Sequence, residues 1–306
     1  MIKVTDVAYA RFRAPDLDKM EAFLKDFGLE RSARTVNRLY MRACGPDHHV
    51  HITELGDPTF LGMAFHAASE EDLHTLSQSP AASDVEESDE PGGGKRVRLT
   101  DPSGFLVEAV HGMEELPEIP VRNAFGINTG DDAPRKGKFV RLDPGPAQCL
   151  RLGHVVIGVK DFDESNAFYK GHFGFLDSDV CFEGDKDNIM LSFNRVDRGD
   201  EYVDHHTLLT APTGTPELGH IAFEVQDVNA IHVGHEHLVS KGYDHSWGIG
   251  RHILGAQIFD YWFDPFGHRI EHWTDGDLLN ADSPTGVHPY GARFSTQWGV
   301  TEESRR

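Results

Sequence analysis

The sequence predicts an α+β fold of four modules, each a strand, a helix and further strands, arranged two to a domain. Two internal repeats and one periodicity carry the prediction. Residues 152–162, LGHVVIGVKDF, recur as LGHIAFEVQDV at 218–228; residues 101–110, DPSGFLVEAV, recur as DPFGHRIEHW at 264–273, with Asp, Pro, Gly and Glu at matching positions. Within the first pair apolar residues alternate with period two, the pattern of a strand, and each copy ends in an Asp that is placed to begin a helix. Repeats of this kind set the architecture before any single motif does.

The elements follow in order. In the first half Tyr9 stands where His154 stands in the second, which puts a strand around it. From Asp16, DLDKMEAFLKDFGLE aligns with DFDESNAFYKGHFGFLD from Asp161, Phe23 against Phe168, and predicts a helix. GMAFHAASEEDL, from Gly62, aligns with GHIAFEVQDVNAI, from Gly219, and opens the second module. Residues 79–95, SPAASDVEESDEPGGGK, read as an acidic, solvated loop. In DPSG the Asp, Pro and Gly positions describe a type I turn followed by a left-handed residue, a hairpin with a glycine bulge. That turn pairs Asp101 with Phe105 and sets Arg98 opposite Glu108, where it can neutralise the carboxylate. The first domain is thus expected over 1–112, and residues 113–149, rich in Pro, Gly and charge, form the predicted connection.

The second domain is expected over 150–280, with a C-terminal tail over 281–306. His154 lies on the strand face opposite Val155, Ile157 and Val159, and His220 on the face opposite Ile221, Phe223 and Val225. Phe162, Asn166, Tyr169 and Phe173 follow Asp161 at helical spacing. The second turn pairs Asp264 with His268 and sets Tyr261 opposite Glu271 on one face of the sheet.

Composition narrows the function. A chain of 306 residues with 39% hydrophobic and 10% aromatic residues can bury a sizeable core, and no apolar run reaches the roughly 18 residues of a membrane span. The formal charge of −21 disfavours nucleic acid and acidic membrane surfaces as partners. No signal-peptide pattern opens the sequence, and Cys44, Cys149 and Cys181 are scattered and odd in number, so a cytoplasmic, reducing setting is expected.

His154 and His220 occupy equivalent positions of two repeated strands, and Glu271 lies on the last strand of the second repeat. Two histidines and one carboxylate on one face, with positions left open, suit non-haem Fe(II) oxygen chemistry, and the same donors suit Mn(II). In a chain with 19 histidines any single one is more simply structural; the symmetric pair with the glutamate is what points to a metal. Tyr9 and Gly62 replace both histidines in the first domain, which is therefore expected to bind no metal and to serve packing, oligomer contacts or closure of the pocket.

On LGHVV around His154, DHHTLLT at 204–210, LGHIAFEV around His220, GRH at 250–252 and DYWFDPFGHRIEHW at 260–273, the second domain resembles the catalytic half of the type I extradiol ring-cleaving dioxygenases, the catechol 2,3-dioxygenase branch of the vicinal oxygen chelate superfamily. The resemblance implies two tandem vicinal-oxygen-chelate domains and Fe(II) held by His154, His220 and Glu271. It implies His206 as the acid/base group, with His205 as its rival, and His252 and Tyr261 as substrate contacts. The implied reaction is extradiol cleavage of a catecholic ring by O2, giving a ring-opened semialdehyde-type muconate in aromatic catabolism, and a homo-oligomer is expected. The chain departs from the family after GRH, where Ile253, Leu254 and Gly255 replace an acidic or polar group. Two other readings keep the fold: a glyoxalase-like metal-dependent isomerase or hydrolase, which would want further glutamates, and a metal-free protein that binds an aromatic ligand. Trp247, Phe259, Trp262 and Phe263 could wall such a pocket, although aromatic residues at strand spacing are more often core.

Overall fold

The alternating stretches become the central strands of two mixed sheets in the computed structural model, which describes residues 1–300; the last six residues of the expected tail lie outside the described residues. In the first sheet, of eight strands, Val4–Ala14 runs antiparallel to Thr59–Ala67; His51–Leu55 lies parallel to the former and Leu106–His111 parallel to the latter. The second sheet, of ten strands, repeats this centre with Cys149–Val159, Glu217–Val225, Leu208–Pro212 and Arg269–Thr274. Tyr9 and Ala64 pair in one as His154 and Ala222 do in the other, so the modules repeat at the level of register, with Gly62 at the place of His220 rather than of Gly219.

Among the described residues, each of the four α-helices opens on a side-chain cap. Asp16, Ser69, Asp161 and Asp227 accept the backbone N–H three residues on, which satisfies one of the bare donors at each helix start. The helices Leu17–Phe27 and Phe162–Phe173 carry the apolar contact between the halves. Phe27 packs on Phe223 and stacks on His272 of the second sheet, while Phe173 meets Phe65 of the first. Val155, Ile157 and Val159 join the same core, so His154 is turned to the other face of its sheet.

Both hairpin turns form as the sequence predicts. The N–H of Asp264 donates to His268 O at 2.8 Å and that of Asp101 to Phe105 O at 2.9 Å. In each turn the Asp side chain also accepts two backbone N–H groups, and the glycine is left-handed, Gly267 at φ 91° and Gly104 at φ 100°. The strands that follow pair Tyr261 with Glu271 and Arg98 with Glu108.

Three expectations are corrected. Arg98 pairs across the strand from Glu108 but is half-exposed and turns to Glu86, which it grips through both carboxylate oxygens at 2.7 and 2.8 Å. The neutralising cations of Glu108 are instead Arg11 at 3.3 Å and Arg96 at 3.7 Å. The acidic loop is only partly solvated: Glu90 is 6% exposed and bonds to Tyr40, Arg38 and Arg11, so this network needs its charge inside. The segment set apart as a tail adds two strands, Gly286–Pro289 and Thr296–Trp298, to the second sheet.

A polar clamp also joins the halves. Asp26, at the end of the first helix, accepts from His237 at 2.8 Å and Tyr243 at 2.9 Å and lies 3.2 Å from Lys241. Burial works to raise its carboxyl, but these donors outweigh burial and hold it below the ordinary carboxylate range. A depressed folded pKa contributes stability above the ordinary carboxylate pKa that is lost as pH falls through the folded value. Asp26→Asn is expected to cost about 1–2 kcal/mol at pH 7, as charge-assisted bonds become neutral ones, and the gap from the parent protein should close under acid. Calorimetry across pH checks both parts.

Candidate metal centre

Three strands of the second sheet bring the expected ligands together. His154 Nε2 lies 3.2 Å and His220 Nε2 3.1 Å from one oxygen, Oε2, of Glu271, and the two imidazole nitrogens are 3.4 Å apart. Glu271 is 1% exposed and His154 2%. Burial pushes the Glu271 carboxyl up, yet the hydrogen bonds from both histidines more than offset this and hold it ionised. Burial lowers the His220 imidazole despite Glu271, which keeps a lone pair available. Two ring nitrogens and an anionic oxygen converging on one point fit a divalent cation by donor type and spacing.

The remaining predicted residues line the same cavity of about 170 Å³. His206 lies under His154, ring centroids 4.1 Å apart, and burial, reinforced by the surrounding imidazoles, drives its pKa well down, so the ring is neutral. His252 Nε2 and Tyr261 OH are 2.9 Å apart, and burial lowers the His252 imidazole to about 3. His205 is turned away: its Nδ1 meets His206 Nδ1 at 3.1 Å and its Nε2 meets Asp179 at 2.8 Å. Both nitrogens are engaged, and His206, not His205, lines the cavity.

Of the aromatic candidates, Trp247 lines the cavity and stacks on Tyr261 with 7° between ring planes, and Phe259 stacks on His252. Trp262 faces the other side of its strand, where it donates to Asp260, and Phe263 is on the surface. Leu254, where the family pattern has a polar group, forms apolar wall. Sequence reasoning missed Gln257, Arg269, Arg293 and Phe294 as lining residues. Arg269 carried a signal, two positions before Glu271 on the same strand face, with its guanidinium 4.7 Å over Tyr261. Arg293 and Phe294 carried none, because they enter from the supposed tail.

Another cluster, His235, His245 and Asp260, has the same donor types. There the carboxylate is saturated, accepting from Trp262 at 2.7 Å, His245 at 2.8 Å and His235 at 3.0 Å, which accounts for a buried charge without a metal.

The first domain shows why its copy of the site differs. Gly62, opposite Leu106, has φ 152°, and a Cβ there would come within 1.8 Å of Leu106 O, so no histidine can take the place. Glu108 bonds to Tyr9 OH at 3.0 Å beside its arginines. Glu108→Ala is expected to leave metal per folded chain unchanged while destabilising the fold by about 3–5 kcal/mol, since Arg11 and Arg96 lose a buried counter-charge. Metal analysis and denaturant melts measure the two effects separately.

The family model of the Glyoxalase/Bleomycin resistance protein/Dioxygenase superfamily matches residues 151–272 of this chain. Over 301 residues the chain is 28% identical to metapyrocatechase 2 of Cupriavidus necator, covering 97% of this chain and 89% of that protein. It is 26% identical over 288 residues to the manganese-dependent 2,3-dihydroxybiphenyl 1,2-dioxygenase of Geobacillus genomosp. 3, covering 87% and 83% of the two chains. Among solved structures, the Mn(II)-bound glyoxalase of Novosphingobium aromaticivorans superposes with a TM-score of 0.80 at 23% identity, over 98% of this chain and 92% of that one, a likeness of fold. The resemblance to extradiol dioxygenases read from the sequence is borne out by these relatives.

Proposed function

We propose that the protein is an extradiol dioxygenase that opens a catecholic ring with O2 at a centre built from His154, His220 and Glu271. The observation that carries the reading is that His154, His220, His206 and the His252–Tyr261 pair line one small cavity, with Glu271 Oε2 within reach of both triad histidines. The carbon–carbon bond next to the diol breaks and both oxygen atoms enter the semialdehyde-type product, so no external reductant is consumed. Fe(II), or Mn(II) as in the manganese-dependent relative, would supply Lewis acidity toward two vicinal oxygens and an electron path to O2.

The chain's own groups do the rest. Tyr261 OH and His252 Nε2 orient a substrate hydroxyl beside the triad. His206, whose Nδ1 faces His205, presents Nε2 to take a proton from the substrate and return it to the departing oxygen. Trp247, Leu254 and Phe193 exclude water around the ring. At about 170 Å³ the cavity is small beside the roughly 300–1,000 Å³ of drug-sized pockets, which favours a single substituted ring over a two-ring substrate.

The proposal assigns the first domain, 1–112, a structural part, with 113–149 as connection to the catalytic domain. It includes a cytoplasmic setting, supported by three buried, unpaired cysteines, and self-association, which light scattering reads directly. The test of the activity is anaerobic loading with Fe(II) or Mn(II), then oxygen uptake and visible absorbance with a panel of mono- and bicyclic catechols. One O2 per catechol and a yellow product are expected. Metal-loaded protein that takes up no oxygen with any catechol would refute the reading.

A further inference from the structure

We infer that Asp179 is a positioning residue that sets the tautomer of His206 through His205; the inference rests on the reading of His206 as the proton-transfer group. Asp179, on the strand Leu176–Phe182, meets His205 Nε2 through Oδ2 and His288 Nε2 through Oδ1, both at 2.8 Å. A carboxylate only accepts, so both nitrogens carry hydrogen. In a neutral His205 that leaves Nδ1 as a lone pair, 3.1 Å from His206 Nδ1. One of these two nitrogens must donate, and only that of His206 can. A neutral His206 with its proton on Nδ1 is bare at Nε2, the form that can take a proton from a ligand. Reversing His205 would reverse His206 and present an N–H where a lone pair is needed.

The arrangement is held from several sides. Asp179 pairs in register with Gly286, where a Cβ would come within 2.0 Å of Asp179 Oδ1, so the glycine at 286 makes room for the carboxylate. The same strand, Gly286–Pro289, brings in His288. The His205 backbone donates to Asp277 O at 3.0 Å, and the Phe193 ring packs against both His205 and His206. Asp179, His205 and His288 do not line the cavity and reach its ligand only through His206, which is why the role is one of positioning.

The test is a double-mutant cycle on the metal-loaded protein, with Asp179→Asn and His206→Phe alone and together. An amide offers one acceptor edge and one donor edge, so His205 and His288 cannot both keep their present bonds. Asp179→Asn should lower kcat about 100-fold, at the low end of what acid–base catalysis contributes, with KM and metal content close to the parent's. In the His206→Phe background the same change should have no further effect. An equal loss in both backgrounds, or no loss in the parent while His206→Phe is slow, overturns the inference and leaves the reaction standing. Parental turnover by His206→Phe overturns the reading of His206 itself. Should Asp179→Asn fail to fold, His205→Phe, which removes the acceptor of the His206 Nδ1–H, takes its place in the cycle with the same expected outcomes.

Discussion

Alanine at Glu271 is expected to give a folded protein that keeps no metal after gel filtration and shows no oxygen uptake with catechols. The fold should survive because no charge is left stranded: burial already holds His220 neutral, and the variant loses only the bonds from two imidazoles to one oxygen. Metal binding should not survive, since Oε2 is the one anionic donor among the three converging atoms. Changes behind a ligand already cost about 10–100-fold in affinity, and removing a ligand costs more. His154→Ala and His220→Ala should behave alike. A melt with and without metal separates binding from catalysis: a hundredfold excess over Kd stabilises a binding protein by about 2.7 kcal/mol and a non-binding one not at all. A full equivalent of metal on Glu271→Ala would move the centre elsewhere, and His235, His245 and Asp260 would be the place to look.

How far the sequence could be read depended on whether a feature was carried by a repeat. The four modules, both hairpin registers and the face shared by His154, His220 and Glu271 were legible because alternation fixes which way a side chain points and the turn fixes what it faces. The partners of long side chains were not. Arg98 has the register position to reach Glu108, but an arginine spans several residues and chose Glu86, leaving the pairing to Arg11 and Arg96 from positions the turn says nothing about. A further repeat went unread. Asp47-His48-His49 stands to the first domain as Asp204-His205-His206 stands to the second, and each pair of histidines joins Nδ1 to Nδ1 at 3.1 Å. His49 even lies by Tyr9 as His206 lies by His154. Asp179, Arg293 and His288 were beyond reach for another reason: their place depends on a parallel pairing between distant strands, which no local pattern encodes.

His206→Phe is expected to keep its metal and its substrate affinity and to lose about 100- to 10,000-fold in kcat, the usual range for a positioned acid–base group. Phenylalanine nearly matches the ring's shape, and the ring packs between His154 and Phe193, so the cavity should keep its form and KM should move little. What disappears is a nitrogen able to hold a proton within the cavity. His205 cannot stand in, because one of its nitrogens is bound to Asp179 and the other points at position 206 itself. His252 is no substitute either, because its Nε2 is engaged with Tyr261 OH. Unchanged kcat with metal bound would therefore mean that solvent, rather than any imidazole of this cavity, handles the proton, and stopped-flow turnover of the variant against the parent distinguishes the two cases.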